Sequence, residues 1–209
     1  MNATAAPKGE ERRCIERLTT AFCFSAAALG VTLQFVQDED PRFPLAYFTI
    51  LAAILLSISI LALWRSPGSA RAAAALRAAQ AGVLLSSFVY WGLIAPVNGV
   101  GSTLGTQLAN VTLHGLLPIT VFAYNFTVPE RRTATLGQLA ATLWFPMAYV
   151  AGSVLMQLSG HAAVYEFLDW RTQRGLTVAG ILGMGVTYLA LGAVLAATSG
   201  LLGARWRDA

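Results

Sequence analysis

One histidine and two side-chain amides lie within a long apolar stretch of this chain. The stretch spans residues 107–118 and reads Gln-Leu-Ala-Asn-Val-Thr-Leu-His-Gly-Leu-Leu-Pro. On a helix, Gln107, Asn110 and His114 share one face, while leucines cover its flanks. An ionisable side chain inside an apolar span is costly, and it indicates a functional site by default. A desolvated, neutral imidazole can accept a proton from a hydroxyl, which is the chemistry of nucleophilic catalysis.

The composition identifies the class of protein that holds this histidine. Of the 209 residues, 56% are hydrophobic and only 11% are charged, and the mean hydropathy is +0.61. Uncharged stretches of about 18 or more residues recur along the chain, as in multi-pass helical membrane proteins. The net charge of +4 does not indicate a nucleic-acid partner, because the basic residues form short clusters between apolar spans. We therefore predict an all-α, multi-pass protein of the cell membrane.

Several enzyme classes are disfavoured because their motifs do not occur in the sequence. There is no Gly-x-Ser-x-Gly, His-Glu-x-x-His, Walker or Cys-x-x-Cys pattern, which argues against a serine lipase, a zinc protease, an ATPase and a redox protein. A transporter is expected to show paired half-helices or more buried charge, and the sequence shows neither.

The apolar stretches predict a bundle of six transmembrane helices. They cover residues 18–36, 45–64, 78–96, 107–126, 136–158 and 176–201. Residues 17–202 then form the membrane domain, with a polar head at 1–16 and a short basic tail at 203–209. Cys14 and Cys23 suit neither a metal pattern nor a disulfide, and we interpret both as free thiols.

The distribution of basic residues predicts the orientation of this bundle. Six spans place both termini on one side, which carries eleven basic residues, and the other side carries three, Arg42, Arg171 and Arg174. Acidic residues divide evenly, so the asymmetry lies in Lys and Arg, as the positive-inside rule requires. Both termini are therefore predicted to be cytoplasmic. Arginine outnumbers lysine thirteen to one, a bias that indicates a GC-rich bacterial genome.

Thr49, in the second span, carries a hydroxyl at about the same predicted depth in the membrane as His114. Both spans begin at the outer side in this topology, which places Thr49 roughly 6 Å and His114 roughly 10 Å below the outer edge. A hydroxyl and an imidazole at one depth could meet. Ala46, Ala53 and Ser57 share the helical face of Thr49, and these small residues suit that face to packing against neighbouring helices.

Four short motifs carry a family resemblance that covers about residues 18–200. They are Ala-Tyr-Phe-Thr49-Ile, Asn110-x-x-x-His114-x-x-x-Pro118, Pro146-x-x-Tyr149 and Tyr165-x-Phe167-Leu168-Asp169. In order and spacing they resemble the androgen-induced and androgen-dependent integral membrane hydrolases and their bacterial six-span relatives. The resemblance implies a six-helix intramembrane esterase, which in the animal members acts on fatty acid esters of hydroxy fatty acids. It also implies that Thr49 is the nucleophile and His114 the base.

The chemistry of these residue types agrees with such roles. A threonine hydroxyl becomes nucleophilic when a base accepts its proton, and the β-branching of Thr49 favours a preset attack geometry. Asn110, one turn from His114, could orient the ring or donate to an oxyanion, and Asp169 could reach it from a loop. A lipid ester in the bilayer would enter the site laterally, from the lipid phase. This mechanism needs no cofactor and no metal.

The same residues also have structural interpretations. A threonine in a transmembrane helix commonly bonds its own i−4 carbonyl or a neighbouring helix, and His114 with Asn110 could form an interhelical polar clamp. Aromatic residues near a membrane surface are typical interfacial anchors, and this interpretation suits Tyr165, Phe167 and Trp170. Asp169 and Arg171 could form an ion pair on the surface. The alternative to a hydrolase is therefore a non-catalytic lipid-binding or scaffold protein with the same cavity.

Overall fold

A computed structural model describes residues 8–38, 43–128 and 135–205. Every regular element within these ranges is helical, which confirms the all-α prediction. Cys14 and Cys23 are free thiols, as predicted. Outside the described residues lie parts of the predicted head and tail and four basic residues used to assign the orientation, Arg42, Arg131, Arg132 and Arg207.

The helices, in chain order, are α1 (Lys8–Gln37), α2 (Phe48–Arg65), α3 (Ala70–Val89), α4 (Ala95–Asn98), α5 (Leu104–Val111), α6 (Leu117–Thr127), α7 (Leu136–Ala141), α8 (Trp144–Leu158) and α9 (Arg174–Arg205). Short 3₁₀ turns precede α2, at Phe43–Ala46, and lie between α8 and α9, at Glu166–Leu168. Two π-helical segments, Tyr90–Ile94 and Thr112–Leu116, join α3 to α4 and α5 to α6 without a break.

In the described chain, five helical stretches are long and apolar enough to cross a membrane. They are Glu10–Gln37, Phe48–Arg65, Ala70–Asn98, Leu136–Leu158 and Arg174–Ser199, and each coincides with one of the predicted spans. The predicted span at 107–126 lies in the continuous helix from α5 to α6, which is not among the five. Gln107, Asn110, His114 and Asn125 lower the hydropathy of this helix. The polar face that indicates a site therefore also weakens the membrane signal.

The hairpin of α2 and α3 forms the centre of the bundle. The connection at 66–69 is short, so the two helices pack antiparallel. At Gly82 of α3, a β-carbon would lie only 3.2 Å from the Cβ of Ala52 and 3.0 Å from the ring of Phe145. The absence of a side chain at Gly82 therefore lets α3 approach both α2 and α8 closely.

The remaining long helices pack around this hairpin. α1 packs closely against the α5–α6 helix at Gly30, where a β-carbon would lie 2.6 Å from the side chain of Leu113. In α9, the fully buried Tyr188 donates its hydroxyl to the carbonyl of Ala78 in α3 at 2.8 Å. Asn125 of α6 donates to the α9 backbone at 3.1 Å. The helix that carries His114 is thus held by α1, α3 and α9.

Three connections meet at one end of the bundle, which we call the cavity end. They join α1 to α2, α4 to α5 through residues 99–103, and α8 to α9 through residues 159–173. Thr103 bonds the last residue of α1 at 3.5 Å, and the rings of Tyr47 and Tyr165 meet edge to face with centroids 6.5 Å apart. α2 and α5 therefore begin at this end, and α8 ends there.

Candidate functional site

A cavity of about 920 Å³ lies at the cavity end of the bundle. Thr49, Asn110 and His114 all line it, together with apolar side chains from α2, α3, α8 and α9. Glu166 is the only Asp, Glu, Lys or Arg residue among the described lining residues, so Asp169 is not one of them. The volume is that of a site for a small organic molecule, about 300–1,000 Å³.

Pro118 accounts for the π-helical turn that contains His114. A proline has no amide hydrogen, so Pro118 cannot donate to the carbonyl four residues earlier, which is that of His114. Two side chains of the neighbouring helix donate to this carbonyl instead, the Ser87 hydroxyl at 2.6 Å and the Trp91 indole nitrogen at 2.7 Å. π-Helical turns are frequent at functional sites, and this one fixes the backbone of His114 against the α3–α4 helix.

The imidazole of His114 lies face to face with the ring of Tyr90. The two planes are 5° apart and the centroids are 4.1 Å apart. Tyr90 begins the other π-helical segment, which also precedes a proline, Pro96. The side chain of His114 is 8% exposed, its Nδ1 has no hydrogen-bond partner among the described residues, and the carbonyl of Ser86 faces the ring. Buried polar atoms without a partner are uncommon in native structures, and this one indicates a role beyond packing.

The packing of α2 on α3 places Thr49 close to the level of His114. Ala52 faces Gly82 across the antiparallel pair, so Thr49, one turn nearer the cavity end, lies opposite the next turn of α3. That turn carries Ser87, which bonds the carbonyl of His114. The heights of Thr49 and His114 along the bundle axis therefore differ by no more than about one helical turn, roughly 5 Å. Both residues line the same cavity.

Tyr165, from the loop between α8 and α9, lies beside Thr49. The polar neighbours of its hydroxyl are the Thr49 side chain and the Phe48 backbone amide. Its ring lies 6.5 Å, centroid to centroid, from both Tyr47 and Tyr149. Burial raises the pKa of the Tyr165 phenol and Tyr47 adds to the rise, whereas the Phe48 amide and Thr49 act against it. Tyr165 thus lines the cavity, which an interfacial anchor on the lipid side does not.

Asn110 bonds the connection at 99–103 and not the imidazole. Its Nδ2 donates to the carbonyl of Val100 at 2.7 Å, and the hydroxyl of Tyr90 donates to the same carbonyl at 3.0 Å. Gln107, one turn earlier, donates to the next carbonyl along the chain at 3.0 Å. Asn110 is therefore connected to the imidazole only through Tyr90. Both residues donate to the carbonyl of Val100, and the imidazole stacks on the ring of Tyr90.

Asp169 organises the loop that carries Tyr165. Its carboxylate accepts hydrogen bonds from the Thr172 hydroxyl at 2.6 Å and from the Arg171 backbone amide at 2.9 Å. These hydrogen bonds, that of the Thr172 hydroxyl above all, lower the pKa of Asp169. The structure therefore does not bring Asp169 to the cavity wall with Thr49 and His114.

Gln157, near the end of α8, attaches the same loop to the bundle. The residue is 2% exposed; its Nε2 donates to the carbonyl of Leu168 at 2.9 Å, and its Oε1 accepts from the amide of Trp170 at 3.0 Å. The guanidinium of Arg171 donates to the backbone carbonyl of Gln157. Because one buried amide makes both bonds, Gln157 sets the position of the loop over the cavity.

The residues that position the site are harder to predict from the sequence than the site itself. Ser87 and Trp91 are four residues apart and share a helical face just before Pro96, which is the one signal for their pairing with another helix. Gln157 has only the weak signal of a lone amide at the end of an apolar span. Tyr165 lies in a motif of aromatic residues, which is equally typical of an interface.

The described residues include no group of side chains that could hold a metal ion. No three His, Cys, Asp or Glu side chains among them lie close enough together to do so. The wall of the cavity instead presents a buried imidazole, a threonine hydroxyl and a tyrosine hydroxyl.

The chain matches no protein-family model, no curated protein and no solved structure.

Proposed function

We propose that this chain is an intramembrane hydrolase of lipid carboxylic esters, with Thr49 as the nucleophile and His114 as the general base. The observation that carries the proposal is that both residues line one largely apolar cavity. The pairing of α2 with α3, together with the bond from Ser87 to the carbonyl of His114, puts them at nearly the same height along the bundle axis. A hydroxyl and an imidazole with an unpartnered nitrogen are the pair that acyl transfer requires. The resemblance to the androgen-induced and androgen-dependent hydrolases assigns the same roles to the same two residues.

The proposed reaction has two halves. In the first, Oγ1 of Thr49 attacks the ester carbonyl carbon while Nδ1 of His114 accepts the hydroxyl proton; the bond to the alcohol oxygen then breaks, and the imidazolium protonates the leaving alcohol. In the second, His114 takes a proton from a water that attacks the threonyl ester, and Thr49 recovers its proton as the fatty acid leaves.

For the membrane topology we propose six spans with both termini in the cytoplasm. Five helices have the length and hydropathy to cross, and the sixth is the 24-residue helix from Leu104 to Thr127. At 1.5 Å per residue it is about 36 Å long, enough for a hydrocarbon core of about 30 Å. The side chains of Asn110 and His114 on this helix face protein and cavity, which removes the cost of exposing them to lipid. Water for the second half-reaction is then available near the outer leaflet.

A medium- or long-chain ester fits the walls of this cavity. Leu93, Val97 and Met147 line it and are also 61–81% exposed, so the cavity reaches the lateral surface of the bundle. In a bilayer that surface faces acyl chains, which supports a substrate that enters from the membrane. Burial of such chains against apolar walls provides the binding free energy.

A non-catalytic lipid-binding protein is the second candidate. The observation that favours it is the packing of His114, whose ring stacks on Tyr90 and whose carbonyl binds Ser87 and Trp91. A polar clamp between two helices would make the same contacts. Such a protein would hold a lipid ester in the cavity and release it unchanged.

Turnover of lipid esters separates the two candidates. Purified protein in detergent should hydrolyse medium- and long-chain carboxylic esters slowly without added cofactor. Thr49→Ala should abolish turnover, and Thr49→Ser, which keeps a hydroxyl at this position, should retain part of it. Activity that persists in Thr49→Ala would contradict the mechanism. A folded wild type that binds these esters without hydrolysing them would support the lipid-binding candidate.

A further inference from the structure

The helix that carries Thr49 begins at the cavity wall. Its first backbone hydrogen bond runs from the amide of Leu51 to the carbonyl of Tyr47 at 3.2 Å. The amides of Phe48, Thr49 and Ile50 precede that bond and have no acceptor within the helix, and the Tyr47 side chain does not cap them. All three residues line the cavity. The amino end of this 18-residue helix therefore presents hydrogen-bond donors and a partial positive charge to it.

The hydroxyl of Tyr165 adds a side-chain donor at the same place. It lies beside the Phe48 amide and the Thr49 side chain, and its ring is packed against Tyr47 and Tyr149 and stacked on a further aromatic residue at 5.3 Å. The hydroxyl of Tyr149 differs, because it donates to the carbonyl of Ala46 at 2.9 Å. Of these two hydroxyls, that of Tyr165 is the one available to a ligand beside Thr49.

The imidazole on the same cavity wall is an independent indication of a ligand. The side chain of His114 is 8% exposed, it lines the same cavity, and its Nδ1 has no partner in the described part of the chain. The described lining residues include no Lys or Arg, and the one carboxylate, Glu166, is exposed. An anion in this site would therefore be held by neutral donors and a helix amino terminus, as developing oxyanions are in acyl-transfer enzymes.

We propose that the first-turn amides of α2 and the hydroxyl of Tyr165 form a binding site for oxyanions and carboxylates. Its catalytic role rests on the proposed hydrolase function. When Oγ1 of Thr49 bonds to the carbonyl carbon, the C=O electron pair moves onto the carbonyl oxygen, and these donors bond that oxygen until the alcohol leaves. After the acyl group is hydrolysed, the same donors hold the carboxylate of the fatty acid. Tyr165 is then a catalytic residue, because it touches a reacting atom.

Ligand binding tests the site without requiring turnover. We would measure the affinities of palmitate and of hexadecanol for the detergent-solubilised full chain at alkaline pH, where the acid is ionised. The wild type should bind palmitate about tenfold or more tightly than hexadecanol, and Tyr165→Phe should reduce that ratio about tenfold, since one charge-assisted hydrogen bond is lost. Tyr188→Phe is the control for loss of a tyrosine hydroxyl, and it should leave the ratio unchanged, because Tyr188 is not among the cavity-lining residues and its hydroxyl bonds the carbonyls of Ala78 and Thr142.

Kinetics of ester hydrolysis provide the second readout. Tyr165→Phe should lower kcat about 10²- to 10³-fold with little change in KM, as expected when a donor to the transition-state oxyanion is removed. A role in loop packing alone would be preserved in Tyr165→Phe, since the ring contacts remain, and would leave kcat near the wild-type value.

The two readouts separate failure of this site from failure of the hydrolase. Binding of palmitate that depends on Tyr165, in a protein without turnover, would support the anion site and retire the hydrolase. A wild type that binds both ligands equally or neither of them would overturn the anion site. So would an unchanged ratio of affinities in Tyr165→Phe, even in an active esterase.

Discussion

At the scale of single residues, the position of His114 depends on the amide hydrogen that Pro118 lacks. Pro118 has no amide hydrogen to offer the carbonyl of His114, and Ser87 and Trp91 use that carbonyl to join two helices. Tyr90, between them in sequence, stacks on the imidazole. The ring is therefore held by packing on one face and through its backbone, and its Nδ1 remains without a partner among the described residues.

A double-mutant cycle tests whether Thr49 and His114 act as one unit. Thr49→Ala and His114→Ala should each abolish turnover, and the double variant should be hardly worse than either single one, because each change disables the same nucleophile and base. Ester hydrolysis by the four proteins, with folding checked by thermal unfolding, is the measurement. Losses that add in free energy would show that the two side chains act independently.

At the scale of elements, Gln157 connects α8 to the loop over the cavity. Gln157→Leu should leave the buried carbonyl of Leu168 without a partner, which costs about 1–3 kcal/mol, and the amide of Trp170 in a partly buried bond should add less. Thermal unfolding in detergent measures this loss. Gln107→Leu is the matched control: Gln107 is exposed, so this substitution should change stability by less than about 0.5 kcal/mol. Equal effects of the two substitutions would contradict the role of Gln157.

The order of the same loop should depend on pH through Asp169. Its pKa is lower in the folded loop than in the unfolded chain, chiefly because the Thr172 hydroxyl bonds the carboxylate. The stabilisation is therefore complete above the unfolded pKa and is lost as the pH falls through the folded one. The protection factors of residues 159–173 against amide hydrogen exchange, which correct for the intrinsic pH dependence of exchange, should fall in acid, and Asp169→Asn should remove that fall. Protection factors in the wild type that are the same above and below the pKa of Asp169 would contradict this assignment.

Helices are predictable here from hydropathy, whereas the contacts that shape the site are not. Each predicted apolar span coincides with a helix because periodicity and composition are local properties of the sequence. The hydrogen bonds from another helix to the carbonyl of His114 depend on pairing between helices, which a single sequence does not show. The position of Tyr165 depends likewise on a loop held by Gln157, and Asn110 bonds Val100 because the connection at 99–103 lies above it.

At the scale of the whole molecule, the proposed topology requires the α5–α6 helix to cross the membrane. With Cys14 replaced by serine and the buried Cys23 retained as a background control, a cysteine introduced at Ser102 or at Thr135 reports one end of this helix or the other. A membrane-impermeant maleimide should label Ser102→Cys in intact cells and Thr135→Cys only after permeabilisation. Labelling of both from one side would show that the helix does not span, and it would remove the common depth of Thr49 and His114.

The chemical claim at the centre of this account is that the oxygen of Thr49 becomes acylated. A fluorophosphonate or carbamate probe with an alkyl chain reports this directly, because it forms a stable adduct on an activated hydroxyl. Peptide mass spectrometry of the labelled protein should locate the adduct on Thr49, with Thr49→Ala unlabelled and His114→Ala labelled far more slowly. An adduct on any other residue, or a wild type that hydrolyses esters without labelling at Thr49, would contradict the mechanism.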